Sequence, residues 1–451
     1  MIRLYDTASR DVQLLSPRDP GVVAMYVCGP TVYGPPHVGH GRGTLVYDVL
    51  RRYLEFSGFT VRHVVNVTDV DDKIIARSID ERVPWQEIVD VAESQWWTAM
   101  DWLGALRPSE VPHATQYIED MVALIEDLVA RGAAYETTDG VYLATSSVPD
   151  YGMLAHQRPE SLLAGARIEV VEEKRSPSDF VLWKAAKPGE PRWDSPFGPG
   201  RPGWHTECVV MSIGLLGEGF DVHGGGLDLV FPHHENERAQ AVASGRVFSR
   251  RWVHNGLVNV GGEKMSKSLG NVLDIADLAE RADPRAFRLL VLRARYRSPL
   301  EVGPDAIDDA VQALGRIDAL ARRFRDARAD IAVPPSGVAD RFVEKMDDDL
   351  DTSGALAVLF DALREANALA DRGDGLGGAA LARSVLDLFA VLGLGSGSGS
   401  GELDAEAEAL RDRYEAARSA ADYASSDALR AELMSLGWRV EDTADGTRLY
   451  R

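Results

Sequence analysis

Cysteine and lysine are scarce in this chain of 451 residues: Cys28 and Cys208 are its only thiols, and lysine occurs seven times among 49 basic residues. Two cysteines 180 positions apart make no disulfide framework, and in a reducing compartment metal binding or catalysis is the special use open to them. No run of eighteen apolar residues occurs, which excludes a membrane-spanning helix, and the opening "MIRLYDTASRD" lacks the basic and apolar regions of a signal peptide. The protein is therefore expected in the cytoplasm, without a membrane partner. A formal net charge of -21 argues against indiscriminate binding to nucleic acid or acidic lipid. It leaves room for a local basic face, and basic side chains do gather in "DPRAFRLLVLRARYR" and "RIDALARRFRDAR". The apolar fraction of 45% is that of an ordinary globular protein, and the length suggests about two to four domains.

"GVVAMYVCGP" is a continuous apolar run ending in Gly-Pro, the signature of a strand buried on both faces. "GRGTLVYDVLRRYLEFSG" then places Leu45, Val46, Val49, Leu50, Tyr53 and Leu54 at helical spacing, and "FTVRHVVNVTD" is β-branched again. Strand, helix, strand opens an α/β fold of the doubly wound, Rossmann type. We expect its first half over residues 1–111 and its second half over 196–283, where "FDVHGG" and "WVHNGLVNV" are the strand-like pieces. Residues 112–195 read as an inserted domain, with an amphipathic helix in "QYIEDMVALIEDLVARG" and a hairpin turning at Asp139-Gly140. Residues 284–394 read as a helical bundle, 395–402 as a Gly/Ser linker, and 403–451 as a small α+β domain with a hairpin at Asp445-Gly446.

Three segments carry chemistry. In "FPHHENERAQA", read as a helix entered through Pro232, His233 and Glu237 fall one turn apart on one face. Such a pair is ordinarily a solvated surface contact worth a few tenths of a kcal/mol, but with two thiols from distant places it completes a four-ligand zinc set. In "GPTVYGPPHVGHGRG" glycines and a helix N-terminus suit phosphate, and His37 and His40 can donate to an oxygen that gains charge. "GGEKMSKSLGN" holds two of the seven lysines, Lys264 and Lys267, on a glycine-flanked loop able to close on a triphosphate.

"HVGH" at His37 to His40 together with "KMSKS" at Lys264 to Ser268 resembles the paired signature of the class I aminoacyl-tRNA synthetases. "YVCGPTVYGPPHVGHGR", "NVTDVDDKII", "RPGWHTEC" and "FDVHGGGLDLVFPHHENE" are similar, more narrowly, to the cysteinyl-tRNA synthetase family. The resemblance implies ATP-dependent joining of L-cysteine to tRNA(Cys) through a cysteinyl-adenylate. It implies one zinc per chain on Cys28, Cys208, His233 and Glu237, there to bind the substrate thiol. His37, His40, Lys264 and Lys267 are implied as catalytic; Thr31, Gly39, Met265, Ser266 and Ser268 join them around ATP, which arrives with Mg2+. Gly29, Thr68, Trp204 and Asp228 are implied around the amino acid. The inserted domain is expected to guide the acceptor end, the C-terminal domain to read the anticodon, and the protein to work as a monomer. Two rival readings share some of these features: a cysteine ligase of mycothiol biosynthesis with an amino-sugar acceptor, and a zinc hydrolase. The first has no use for residues beyond Gly401, and the second has none for the lysine loop.

Overall fold

A computed structural model describes residues 1–157, 173–265, 270–325, 337–395, 405–420, 422–436, 438–443 and 446–450. After a hairpin of β1 (Arg3–Asp6) and β2 (Asp11–Leu14) come β3 (Val22–Val27), α1 (Val38–Phe56) and β4 (Thr60–Val65), followed by α2 (Asp72–Glu81) and α3 (Trp85–Trp102). α4 (Ile118–Ala130) leads into β5 (Ala134–Thr137), β6 (Gly140–Leu143), β7 (Phe180–Ala185) and β8 (Gly200–Pro202), an antiparallel sheet in chain order. The chain then returns through the helix Trp204–Leu216 to β9 (Val222–Gly226), the helix Glu235–Ala243 and β10 (Trp252–Asn255).

The central sheet runs β10-β9-β3-β4, all parallel. Along β3 the pleat divides the side chains between two cores. Val23, Met25 and Val27 join α1 and the C-terminal helices on one face, and Ala24 and Tyr26 join α4 and the helix Trp204–Leu216 on the other. A strand buried on both faces has no reason to alternate apolar with polar, which is why it reads as an unbroken run. The four strands send their C-terminal ends to one edge, where open α/β sheets bind ligands.

Several expectations are shifted by tertiary packing. The inserted antiparallel sheet takes its last strand from Gly200–Pro202, beyond 195. Its first hairpin turns on Thr138-Asp139, because Thr137 pairs with Gly140; Gly140 is a strand residue against which the Trp183 carbonyl packs too closely for any Cβ. The peptide Phe231-Pro232 is cis. A π-turn over Val230–His234 precedes the helix, which runs Glu235–Ala243 and so starts later than Pro232. "WVHNGLVNV" divides into β10 and β11 (Val258–Val260) at Gly256, where a Cβ would meet the Ser298 and Arg297 carbonyls.

β12 (Glu263–Lys264) and β13 (Leu300–Glu301) flank β11. Helices Pro284–Arg293, Pro304–Arg323, Val338–Asp347, Thr352–Asp371 and Gly375–Val391 extend the α1-side core. Helices Ala405–Ser419 and Tyr423–Ser435, with β14 (Arg439–Thr443) and β15 (Gly446–Tyr450), close on a separate core around Tyr414, Leu433 and Trp438. Most of the expected linker, Asp445 of the last hairpin turn, and Ser266, Lys267 and Ser268 lie outside the described residues. No described helix is long and apolar enough to cross a membrane.

Candidate active site

β3 ends at Val27, and the next two residues do different work. The Gly29 amide donates to Asn66 Oδ1 at 2.9 Å, and a Cβ on Gly29 would run into the Asn66 carbonyl. Cys28 is left at the end of the sheet, where its Sγ lies 3.8 Å from Cys208 Sγ and 3.5 Å from Glu237 Oε1. Cys208 Sγ is 3.6 Å from His233 Nε2, which in turn is 2.8 Å from Glu237 Oε1. All four donor atoms lie within 4.8 Å of one another.

Ligands about 2.0–2.3 Å from a tetrahedral ion stand roughly 3.3–3.8 Å apart. The three contacts made by sulfur match that spacing, and the His233–Glu237 contact is the shorter one of a hydrogen bond. Trp204 stacks on the His233 ring with centroids 3.9 Å apart, and His205 Nδ1 meets His233 Nδ1 at 2.9 Å, so the ring is fixed from its face and from its second nitrogen.

The electrostatics of the cluster ask for a cation. Burial, and then the hydrogen bond with Cys208, push the Cys28 thiol well above its usual range. At Cys208 burial opposes ionisation, yet the hydrogen bond with Cys28 and the His233 ring bring the thiol down to about 6. Burial also opposes charge on His233, which Glu237 nevertheless raises to about 10. Two thiols and a carboxylate around one imidazole can ionise together only beside more positive charge than a single His supplies.

The residues of the first loop meet at the N-terminus of α1. His40 N donates to His37 Nδ1 at 3.4 Å and His37 N to His40 Nδ1 at 3.2 Å, a reciprocal capping box, with the two rings stacked at 3.7 Å. With both Nδ1 atoms accepting, a neutral imidazole carries its proton on Nε2, which makes Nε2 a donor. Gly39 leaves room for the His37 ring and the Met265 methyl, each of which a Cβ would crowd at 3.0–3.1 Å.

His37, Gly39 and His40 line a cleft of about 420 Å³ together with Cys28, Gly29 and Thr31. Trp204, Asp228, Lys264 and Met265 line it as well. Thr68 is placed otherwise: it is 1% exposed and not among the lining residues, its backbone bonds to Pro30 and Val32, and its hydroxyl donates to Glu207 Oε2 at 2.9 Å. Cys208, His233 and Glu237 are buried behind Cys28, which is shared by the cleft and the cluster.

Sequence reasoning missed a second group. Cys28, His223, His234 and Glu237 also bring one donor each within 4.8 Å. His234 Nε2 is 3.2 Å from Cys28 Sγ, and its Nδ1 contacts His254 Nε2 at 2.8 Å. His234 was visible in the His-His doublet, but nothing in the local pattern distinguishes a His223 on a buried strand from a core histidine.

Against this geometry, the tRNA synthetases class I (C) catalytic domain matches residues 14–312, and a DALR domain matches residues 341–395. The cysteine–tRNA ligase of Halorhodospira halophila is 44% identical over 463 residues, covering 100% of both chains. That decides the family. The chain belongs to the cysteine–tRNA ligases, class I aminoacyl-tRNA synthetases whose substrates are ATP, the amino acid and tRNA. A cysteine–tRNA ligase of Thermus thermophilus is likewise 44% identical, over 99% of this chain and 98% of its own. Methionyl-tRNA synthetase of Mycobacterium tuberculosis in complex with methionyl-adenylate shares the fold at a TM-score of 0.61 and 16% identity, over 83% of this chain and 90% of that one. In this member of the family, His37 and His40 of the first signature loop, Lys264 and Met265 of the second, and the Cys/His/Glu cluster thus sit in a class I catalytic domain.

Proposed function

We propose that the cleft activates L-cysteine with ATP and passes the cysteinyl group to the terminal ribose of tRNA(Cys), with one zinc ion held by Cys28, Cys208, His233 and Glu237. The observation that carries this reading is the double position of Cys28, in the metal cluster and in the cleft wall. Bound there, zinc would favour a thiolate over the harder, reluctantly ionised hydroxyl of serine, and so select the substrate by its sulfur. The set with two thiols is preferred over the one with His223 and His234, because its sulfur contacts of 3.8, 3.5 and 3.6 Å have the spacing of a tetrahedral site and zinc takes thiolate ligands.

The chain's own residues do the rest. Asp228 meets the substrate ammonium; Gly29 and Trp204 wall the amino-acid site, and Thr68 supports it. The substrate carboxylate attacks the α-phosphorus of ATP, the bond to the β-phosphate breaks, and pyrophosphate leaves. His37 and His40 donate to the phosphate oxygens as charge builds. Lys264 and Lys267, with Met265, Ser266 and Ser268, draw on the pyrophosphate while Mg2+ accompanies it, and Thr31 and Gly39 let the nucleotide approach. The tRNA ribose hydroxyl then attacks the acyl carbon and AMP departs. The inserted domain guides the acceptor end, and the helical region and tail meet the rest of the tRNA.

Metal analysis and cysteine-dependent pyrophosphate exchange test the proposal together. Cys208→Ser and Glu237→Ala should each lose zinc and cysteine activation in parallel, and serine should exchange very slowly with the parent protein. Full activity in a demonstrably zinc-free preparation would remove the metal from the mechanism.

A further inference from the structure

The cleft contains a buried acceptor that the chemistry above leaves unused. Asn255 closes β10, level with Gly226 of β9. It is 4% exposed, it lines the cleft, and its Oδ1 has no hydrogen-bond partner among the described residues. The orientation of the amide follows from its other end: Nδ2 donates to the Gly256 carbonyl at 3.1 Å, and exchanging the two atoms would set oxygen against oxygen. What Asn255 presents to a ligand is an acceptor. A buried acceptor with no partner is costly, which favours a ligand that brings a donor to it.

The surroundings say what kind of donor fits. Gly256 is pressed against the Ser298 and Arg297 carbonyls, and Arg42, 1% exposed on α1, donates to Leu257 O at 2.7 Å and Tyr296 O at 3.1 Å. The acceptor therefore stands on a rigid shelf. Gly225 and Gly226 expose backbone there, the space a Cβ would take being filled by His234 and Leu229 at the first and by the Asp228 carboxylate at the second; Leu257, Val258 and Met265 add apolar lining, and even a Cβ at Gly43 would stay 3.7 Å from Oδ1. Such a slot takes a flat ring, and an acceptor in it selects a ring carrying an N–H group. Adenine bears a donating amine at C6, where guanine bears a carbonyl.

We infer that Asn255 Oδ1 accepts a hydrogen bond from the exocyclic amine of adenine and so sets the preference for ATP over GTP. The inference rests on the placement of ATP proposed above. The test is cysteine-dependent exchange by the full-length protein with ATP, with the purine riboside triphosphate that lacks the 6-amino group, with 2′-deoxy-ATP, and with GTP. The parent should lose roughly ten- to hundredfold in kcat/KM on losing the amine, and GTP should fare no better. Asn255→Leu should lose a similar factor with ATP and then be nearly indifferent to the amine, whereas Asn255→Asp, which keeps an acceptor, should retain the discrimination.

If Asn255→Leu keeps the parent's ATP-to-purine ratio, the acceptor does not meet the amine and the inference falls. Coupling to the 2′-hydroxyl instead would overturn it equally. Asn255→Ala, which also lacks an acceptor, reports the same ratio should the leucine variant fold poorly. Lys264→Ala separates the two levels: unimpaired exchange in that variant would take ATP out of this cleft and overturn both, while impaired exchange beside an unchanged Asn255→Leu ratio overturns the inference alone.

Discussion

His63 shows how a single buried residue couples this cleft to pH. It lies on β4, 6% exposed, with neither ring nitrogen hydrogen-bonded among the described residues. Burial first, and then the nearby Arg51, lower its pKa from 6.5 to about 3, with Asp48 opposing. Between those two values the unfolded chain holds a proton that the native state refuses, so stability falls as pH falls, by about 1.4 kcal/mol per pH unit for this one group. Denaturant titrations between pH 7 and pH 4 should show His63→Leu flattening the dependence by about that slope. An unchanged slope would mean that His63 is charged, or already partnered, in the native protein.

At the scale of elements, one ion pair fastens α1 to the helices that follow the catalytic domain. Arg288, 1% exposed in the helix Pro284–Arg293, pairs with Asp48, 3% exposed on α1, and donates to the Leu103 and Gly104 carbonyls at 3.1 and 3.0 Å. Burial alone would raise the Asp48 carboxyl, but Arg288 and Arg52 hold it below its usual range. Arg288→Met removes the deeper partner, takes the side-chain donor from Leu103 O and leaves Asp48 Oδ2 and Gly104 O to Arg52 alone. Chemical denaturation should record a loss of about 3 kcal/mol, and much of it should return in the double variant with Asp48→Leu. A loss below about 0.5 kcal/mol would place the pair with ordinary surface ion pairs.

At the scale of the whole molecule, the last two helices and their hairpin bury Tyr414, Leu433 and Trp438 in a core of their own, apart from the two cores that hold the central sheet. Removing them should leave the chemistry of the cleft standing. A chain ending at Gly395 should retain cysteine-dependent pyrophosphate exchange while charging tRNA much less efficiently. Its affinity for tRNA should also depend less steeply on salt, because fewer phosphates are neutralised. If the shortened chain charges tRNA as well as the parent at every salt concentration, the tail makes no contact that matters to the reaction. The formal net charge of -21 sharpens the expectation, since an acidic protein must meet a polyanion through local basic surfaces.

Local sequence determined the strands at Val22–Val27 and Thr60–Val65, the helix between them, and the loops carrying His37, His40 and Lys264, because an apolar period and a Gly-rich turn are written in neighbouring residues. It also pointed to Cys28, Cys208, His233 and Glu237 as a set, through the rarity of thiols and one helical spacing. Helix α3 escaped notice, since Trp85–Trp102 mixes buried Ile88, Val89, Ala92 and Trp96 with polar residues and has no side-chain cap. Only the tertiary structure decided that Thr68 is buried with its hydroxyl on Glu207, that His223 and His234 crowd the same thiol, and that Asn255 joins the cleft lining with an Oδ1 that has no hydrogen-bond partner among the described residues. These are outcomes of which strand ends meet at one edge of a parallel sheet. Residues brought together from distant segments of the chain leave no trace in the local pattern of either segment.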